Sequence, residues 1–171
     1  MVKQCAGIAE ALTLIHDIGY AGGEEGTLYR RYGDIRPENI LWFPHHENER
    51  EPGLGNLVIT NACAMMRTRH SRSSDDLRDV ARTGTYAAPE LALLDGTVNR
   101  YADIWSLGCV YLEFIVWYLG GSELVDEFST RRLTKDPSLR GFLTDHFYRI
   151  VQEDKTFVTT INPAVTEVSR S

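Results

Sequence analysis

The 171-residue chain is 43% hydrophobic and 25% charged, an ordinary balance for a packed domain and enough chain for one sizeable core. Its formal net charge of −6 argues against a nucleic-acid surface. Cys5, Cys63 and Cys109 are odd in number and lack metal-ligand spacing, which fits reduced thiols in an intracellular protein, cytoplasmic or nuclear. Polar residues run through positions 1–17, so no signal peptide is read there. The longest apolar run, 104–119, is interrupted by Glu113 and falls short of a span, so no membrane partner is expected.

In chain order, Cys5, Ile8, Leu12 and Ile15 fall on one helical face, and breakers at 17–23 end that helix. Residues 22–31 read as a polar insertion. Ile40–Phe43 and residues 56–60 read as two short strands joined by a charged loop at 44–55. The Arg-, Ser- and Asp-rich stretch 64–82 reads as a mobile segment. A short helix is expected over 89–94 and a long buried one over 101–119, ending at Gly120-Gly121. Residues 124–132 and 139–151 each suit a helix. From Asp154 the pattern fades, and the chain from Pro163 onwards reads as frayed.

Three stretches carry chemistry. Residues 32–42 read Tyr-Gly-Asp-Ile-Arg-Pro-Glu-Asn-Ile-Leu-Trp and set Asp34, Arg36 and Asn39 at fixed offsets just before a strand. Ala88-Pro89-Glu90 follows, preceded by Thr83 and Tyr86. Last comes Asp103-Ile104-Trp105-Ser106-Leu107-Gly108. In this order and at these separations they resemble the catalytic loop H-R-D-x-K-x-x-N, the activation-segment end T-x-x-Y-x-A-P-E and the D-x-W-S-x-G helix of eukaryotic protein kinases. The likeness covers residues 1–165, leaves 166–171 as a frayed tail, and is nearest to divergent fungal kinase-like proteins. It implies an α+β, mainly α fold: the larger C-terminal lobe of a kinase with a small β-hairpin. The smaller N-terminal lobe is expected to be absent, because the chain begins in the helix before the catalytic loop and its only lysines, Lys3, Lys135 and Lys155, lie outside any V-A-I-K pattern.

By the same resemblance Asp34 is the base that takes the substrate hydroxyl's proton, and Arg36 neutralises the transferred phosphoryl group. Asn39 and Asn61 are metal ligands, Leu41 stacks under the adenine with Val110 and Phe114, and Thr83 meets the protein substrate. Glu90 and Asp103 are structural, Asp103 bonding the catalytic loop's backbone from below; Glu90 lacks the arginine that pairs with it in the family. Asp34, Asn39 and Asn61 also read as ordinary loop and turn residues, and Leu41 as plain core packing.

Two departures bear on function. Where the family carries the D-F-G magnesium aspartate, the chain reads Asn61-Ala62-Cys63, a neutral amide in place of a carboxylate that a hard cation prefers. Tyr32 and Gly33 replace the usual His and Arg, which removes the partner that reads phosphorylation of the activation segment. The expected function is therefore kinase-like: by resemblance, transfer of the γ-phosphoryl of ATP with Mg²⁺ to Ser/Thr hydroxyls of a protein, inactive in this chain alone. The alternatives are a pseudokinase scaffold that binds protein partners, or a gene fragment without function.

Overall fold

The computed structural model of the protein describes residues 1–17, 29–44, 55–61, 66–68, 84–92 and 100–168. Helix α1 (Val2–Asp17) buries Ile8, Leu12 and Ile15, the spacing that a 3.6-residue period brings to one face. Cys5, at the same spacing, is only half-buried. Strand β1 (Tyr29–Arg31) pairs antiparallel with β4 (Met66–Thr68), so part of the expected polar insertion and part of the expected mobile segment are ordered against each other. Strands β2 (Ile40–Phe43) and β3 (Asn56–Ile59) form the expected hairpin, with Ile40 opposite Ile59 and Leu41 opposite Val58. The Leu57 N–H donates to Gln4 Oε1 at 2.8 Å, which ties the hairpin to α1.

Helix α2 (Pro89–Ala92) is short, and α3 (Tyr101–Arg132) is the longest element. Gly120 and Gly121 interrupt α3 with non-helical backbone, Gly121 at φ 68; that left-handed value favours a residue without Cβ. The expected stop at these two glycines and the expected helix over 124–132 both stand, as the two arms of one kinked element. Its first arm carries Leu107 and Val110 into a core with Ile8, Leu12, Ile15, Tyr32, Ile35 and Ile40. On its other side Cys109, Val116 and Phe128 meet Phe147 and Ala164. By length and hydropathy α3 could cross a membrane, which the interrupted run 104–119 did not suggest; 33% of its most apolar stretch is buried in the protein.

The C-terminal third departs from expectation. The helix read over 139–151 is absent. Strands β5 (Thr134–Asp136) and β6 (Phe142–Thr144) form one hairpin, and β7 (Tyr148–Glu153) and β8 (Thr156–Ile161) another. Arg140 at φ 56 and Gly141 at φ 79 break any helix there. In β7, Tyr148 and Ile150 are buried while Arg149 is exposed, a period of two that three apolar residues in four had disguised. Beyond Asp154, where no pattern was read, β8 is rich in Thr, Val and Ile, residues suited to a pleated surface. The stretch from Pro163 is helix α4 (Pro163–Val168), not frayed chain. Asn162 caps it by accepting the Ala164 N–H at 3.1 Å, with Pro163 in the first turn. The fold is α+β and mainly helical, with four two-stranded sheets among the described residues instead of one hairpin.

One buried ion pair joins these parts. Arg132, 1% exposed, donates from Nη2 to Glu113 Oε1 at 2.8 Å, and the Tyr86 hydroxyl donates to Glu113 Oε2 at 2.6 Å. The guanidinium also lies 4.2 Å and 4.1 Å from the ring centroids of Phe128 and Phe147, a cation–π sandwich. Glu113, the charge that interrupts the apolar run, thus holds the two arms of α3 to the residues before α2. We expect Arg132→Met to cost about 3–5 kcal/mol in urea denaturation, because it strands a buried carboxylate.

Burial also raises the tyrosines. Tyr32 and Tyr111 are pushed up to about 12, chiefly by desolvation, and Tyr86 and Tyr148 higher still. Between pH 10 and 12 the unfolded chain loses these protons and the folded chain keeps them, so stability falls as pH rises through that window. Urea midpoints measured from pH 9 to 11.5 should drop, and Tyr32→Phe should make the drop shallower.

Candidate catalytic-loop site

The loop that carries Asp34 enters through Tyr32 and Gly33, and their backbone is fixed from below. The Tyr32 N–H donates to Asp103 Oδ2 at 2.7 Å and the Gly33 N–H to Asp103 Oδ1 at 2.8 Å. His16, at the end of α1, lies with Nε2 2.8 Å from Asp103 Oδ2. One carboxylate, 2% exposed, thereby ties α1, the loop and α3 together, and charge-assisted bonds of this kind are the strong ones. Gly33 sits at φ 82, a conformation that other L-residues adopt only under strain. Gly33 is thus a backbone requirement of this loop.

Past Ile35, buried in the core, a 3₁₀ turn over Pro37–Asn39 returns the chain towards Asp34. Asn39, 5% exposed, donates from Nδ2 to the Asp34 carbonyl at 2.8 Å and to Asp34 Oδ2 at 2.7 Å. Asn61 stands after β3 at φ 59, a left-handed value that asparagine tolerates. Its Nδ2 donates to Asn39 Oδ1 at 2.9 Å. The Thr60 N–H donates to the Asn39 carbonyl at 2.8 Å, and the Tyr32 hydroxyl donates to the Thr60 carbonyl. Hydrogen bonding therefore runs in one direction, Asn61 to Asn39 to Asp34. Among the described residues, Asp34 Oδ1 is shielded from water and accepts no hydrogen bond. Arg36 Nε lies 3.9 Å from it and 3.5 Å from Glu38 Oε2.

Asp34, Arg36, Asn39 and Asn61 thus form one cluster, with Asp103 beneath it. Leu41 is 46% exposed on the hairpin and Val110 is fully buried in the core. Glu90 lies outside the cluster, lining a groove with Trp105 and Phe147. Thr83, Ala62 and Cys63 lie outside the described residues. Sequence reasoning missed His16 and the Tyr32–Thr60 bond. A polar side chain one turn after Leu12, beside Ile15 at the end of a buried stripe, was the available signal for His16.

The donor set does not fit a magnesium ion. Asn39 Oδ1, its natural ligand atom, is already engaged by an amide N–H, and among the described residues Asp34 is the one carboxylate bonded to Asn39. Among the described residues no three His, Cys, Asp or Glu side chains gather as metal ligands. Magnesium demands near-octahedral oxygen ligation with one or two carboxylates beside phosphate.

No protein-family model matches the chain, and no solved structure matches it at significance. Curated proteins match in part. The chain is 32% identical over 56% of its length to the MAP kinase kinase kinase wis4 of Schizosaccharomyces pombe, which it covers to 7%. It is 33% identical over 49% to the meiosis induction protein kinase IME2/SME1 of Saccharomyces cerevisiae, covering 14% of it. It is 34% identical over 53% to the sporulation protein kinase mde3 of Schizosaccharomyces pombe, covering 15%. The chain thus spans only a small fraction of the curated relatives it matches. These partial likenesses support a kinase-like relationship.

The anchor carries a stability prediction. Asp103→Ala leaves two buried N–H groups and His16 without an acceptor, and should cost about 3 kcal/mol or more in urea denaturation. Gly33→Ala should cost about 1–2 kcal/mol through its positive φ alone.

Proposed function

We propose that the chain is a kinase-like lobe that keeps the skeleton of the catalytic loop and works by binding a protein partner, without metal-dependent phosphoryl transfer. The single observation that carries this reading is the amide chain from Asn61 to Asn39 to Asp34. Asn61 Nδ2 occupies the place at Asn39 Oδ1 that a cation would take, so a neutral donor does the electrostatic work of the ion. Phosphoryl transfer depends on positioning and on charge stabilisation by metal ions, and this cluster offers one carboxylate and one guanidinium for both.

A second reading is transfer from ATP and Mg²⁺ to a Ser/Thr hydroxyl, with a further polypeptide segment completing the nucleotide site. Asp34 favours it: its Oδ1 accepts no hydrogen bond among the described residues, and a general base needs a carboxylate oxygen not already committed to a donor. In that reading Asp34 is the base, Arg36 the phosphoryl clamp, Leu41 part of the adenine surface and Thr83 the contact to substrate.

Thermal unfolding with ATP, with Mg²⁺, and with both separates the two. We expect no Mg-dependent rise in melting temperature for the natural chain. Asn61→Asp restores a second carboxylate and should create such a rise, about 5–10 °C at hundredfold saturation. A rise in the natural chain with Mg-ATP, absent with ATP alone, would overturn the binding-only reading and support the second.

A further inference from the structure

Strand β8 reads Thr-Phe-Val-Thr-Thr-Ile, without a charged residue or a proline. Its register with β7 is unbroken from Glu153 opposite Thr156 to Tyr148 opposite Ile161. Exposed edges of soluble proteins are ordinarily blunted by a charge, a proline or a bulge, and β8 has none of these along its length. β7 has β5 packed against it as well as β8. Among the described residues no strand but β7 pairs with β8.

The ladder fixes which groups that edge presents. Asp154 and Lys155 form a two-residue turn between Glu153 and Thr156, with Asp154 at φ 52, as such hairpins require. At the other end the Asn162 N–H donates to the Phe147 carbonyl at 3.0 Å. Bonded pairs recur at every second position of an antiparallel ladder. Thr156, Val158 and Thr160 therefore bond β7, while Phe157, Thr159 and Ile161 point their N–H and C=O groups away from it. Those outward groups have no hydrogen-bond partner among the described residues.

We propose that β8 is the edge through which this protein self-associates. A second copy lays its own β8 antiparallel across a two-fold axis at Thr159, giving a four-stranded sheet in the order β7-β8-β8-β7. The strand is self-complementary in that frame. Thr159 meets the partner's Thr159 and Phe157 meets the partner's Ile161, so every outward N–H finds an outward carbonyl. These pairs, Thr with Thr and aromatic with β-branched, are among those that stabilise antiparallel sheets. Phe157 and Ile161 are 43% and 47% exposed in the single chain, so the contact has apolar surface to cover. Two chains of net charge −6 repel, and a contact through an uncharged strand adds no local repulsion to that. A foreign strand would meet the same backbone groups; the two-fold match of side chains selects a second copy. The inference is independent of what the catalytic-loop cluster binds.

Sedimentation equilibrium of the intact chain from about 1 μM to about 1 mM tests this. An edge of six residues makes a small interface, so a dimer with Kd of about 10–100 μM is expected. It should tighten as salt screens the net charge. Thr159→Pro deletes an outward N–H that β7 does not use, and should weaken the dimer about tenfold or more. Phe157→Lys is the second edge variant should the proline prevent folding, as read by circular dichroism. A mild oxidant reads the register. Thr159→Cys should cross-link above the background of the natural chain, because Cα atoms of a bonded antiparallel pair stand about 5.5 Å apart, within disulfide reach. Thr160→Cys should not, since position 160 stands opposite the partner's Val158. A chain still monomeric at about 1 mM overturns the proposal, as does a dimer indifferent to the edge variants. So does cross-linking of Thr160→Cys as readily as Thr159→Cys, or an open-ended polymer, which a closed two-fold pair of β8 strands does not form.

Discussion

The carboxylate of Asp103 is the constraint on which the loop geometry rests. Two consecutive backbone N–H groups and one imidazole converge on it, so the first arm of α3, the end of α1 and the entry to the catalytic-type loop cannot move independently. Burying such a charge is unfavourable unless its lone pairs are taken up, and here each oxygen has a donor. The loop's unusual backbone at Gly33 follows from this. To aim successive N–H groups at one carboxylate the chain must turn through a left-handed conformation, and glycine does that at least cost.

A second anchor works the other end of the same helix. Glu113 receives Tyr86 and Arg132, so residues before α2 and the far arm of α3 are fixed to one point. Around it the described C-terminal elements are small hairpins and a capped helix of six residues. Among the described residues no single sheet forms a layer; the helices and pairwise hairpins close on α3 from both sides. Arg132 donates from Nε to the Asp145 carbonyl at 3.1 Å and Asn162 donates to the Arg132 carbonyl at 2.8 Å, so the hairpin ends are stitched to the helix by polar contacts as well as by Phe147 and Phe128.

How much of this was legible depended on whether the signal was local. The stripe of Ile8, Leu12 and Ile15, the β2–β3 hairpin and the glycine stop in α3 carry their own periodicity or breakers, and all could be read from the chain. The region after residue 132 could not. Tyr148, Ile150 and Val151 are spaced to suit helix or strand, and only the pairing with Val158, Thr159 and Ile161 decides. The β1–β4 ladder joins two polar segments that are far apart in the chain, and neither carries an apolar alternation to announce a strand. In the site, residue identities placed Asp34, Asn39 and Asn61 in one frame, but not the direction of hydrogen bonding among them. That direction, with Asn39 Oδ1 already engaged, bears most on whether a cation is accepted, and it follows from Asp34, whose carboxylate can only accept and so takes Asn39 Nδ2, leaving Oδ1 for Asn61.

The central helix is also late in the chain, and that has a consequence for how the protein is made. The bonds from Asp103 to Gly33, Tyr32 and His16 span 70, 71 and 87 residues, and the one from Tyr111 to the Cys5 carbonyl spans 106. During synthesis α1 therefore leaves the ribosome well before α3, with Ile8, Leu12 and Ile15 only partly covered, by Tyr32, Ile35 and Ile40, until Leu107 and Val110 emerge. Loop closure over such distances precedes the reward of contact, so the amino-terminal half cannot settle vectorially. It must wait for the helix that completes it, and through that interval it is a client for any chaperone that recognises apolar stripes.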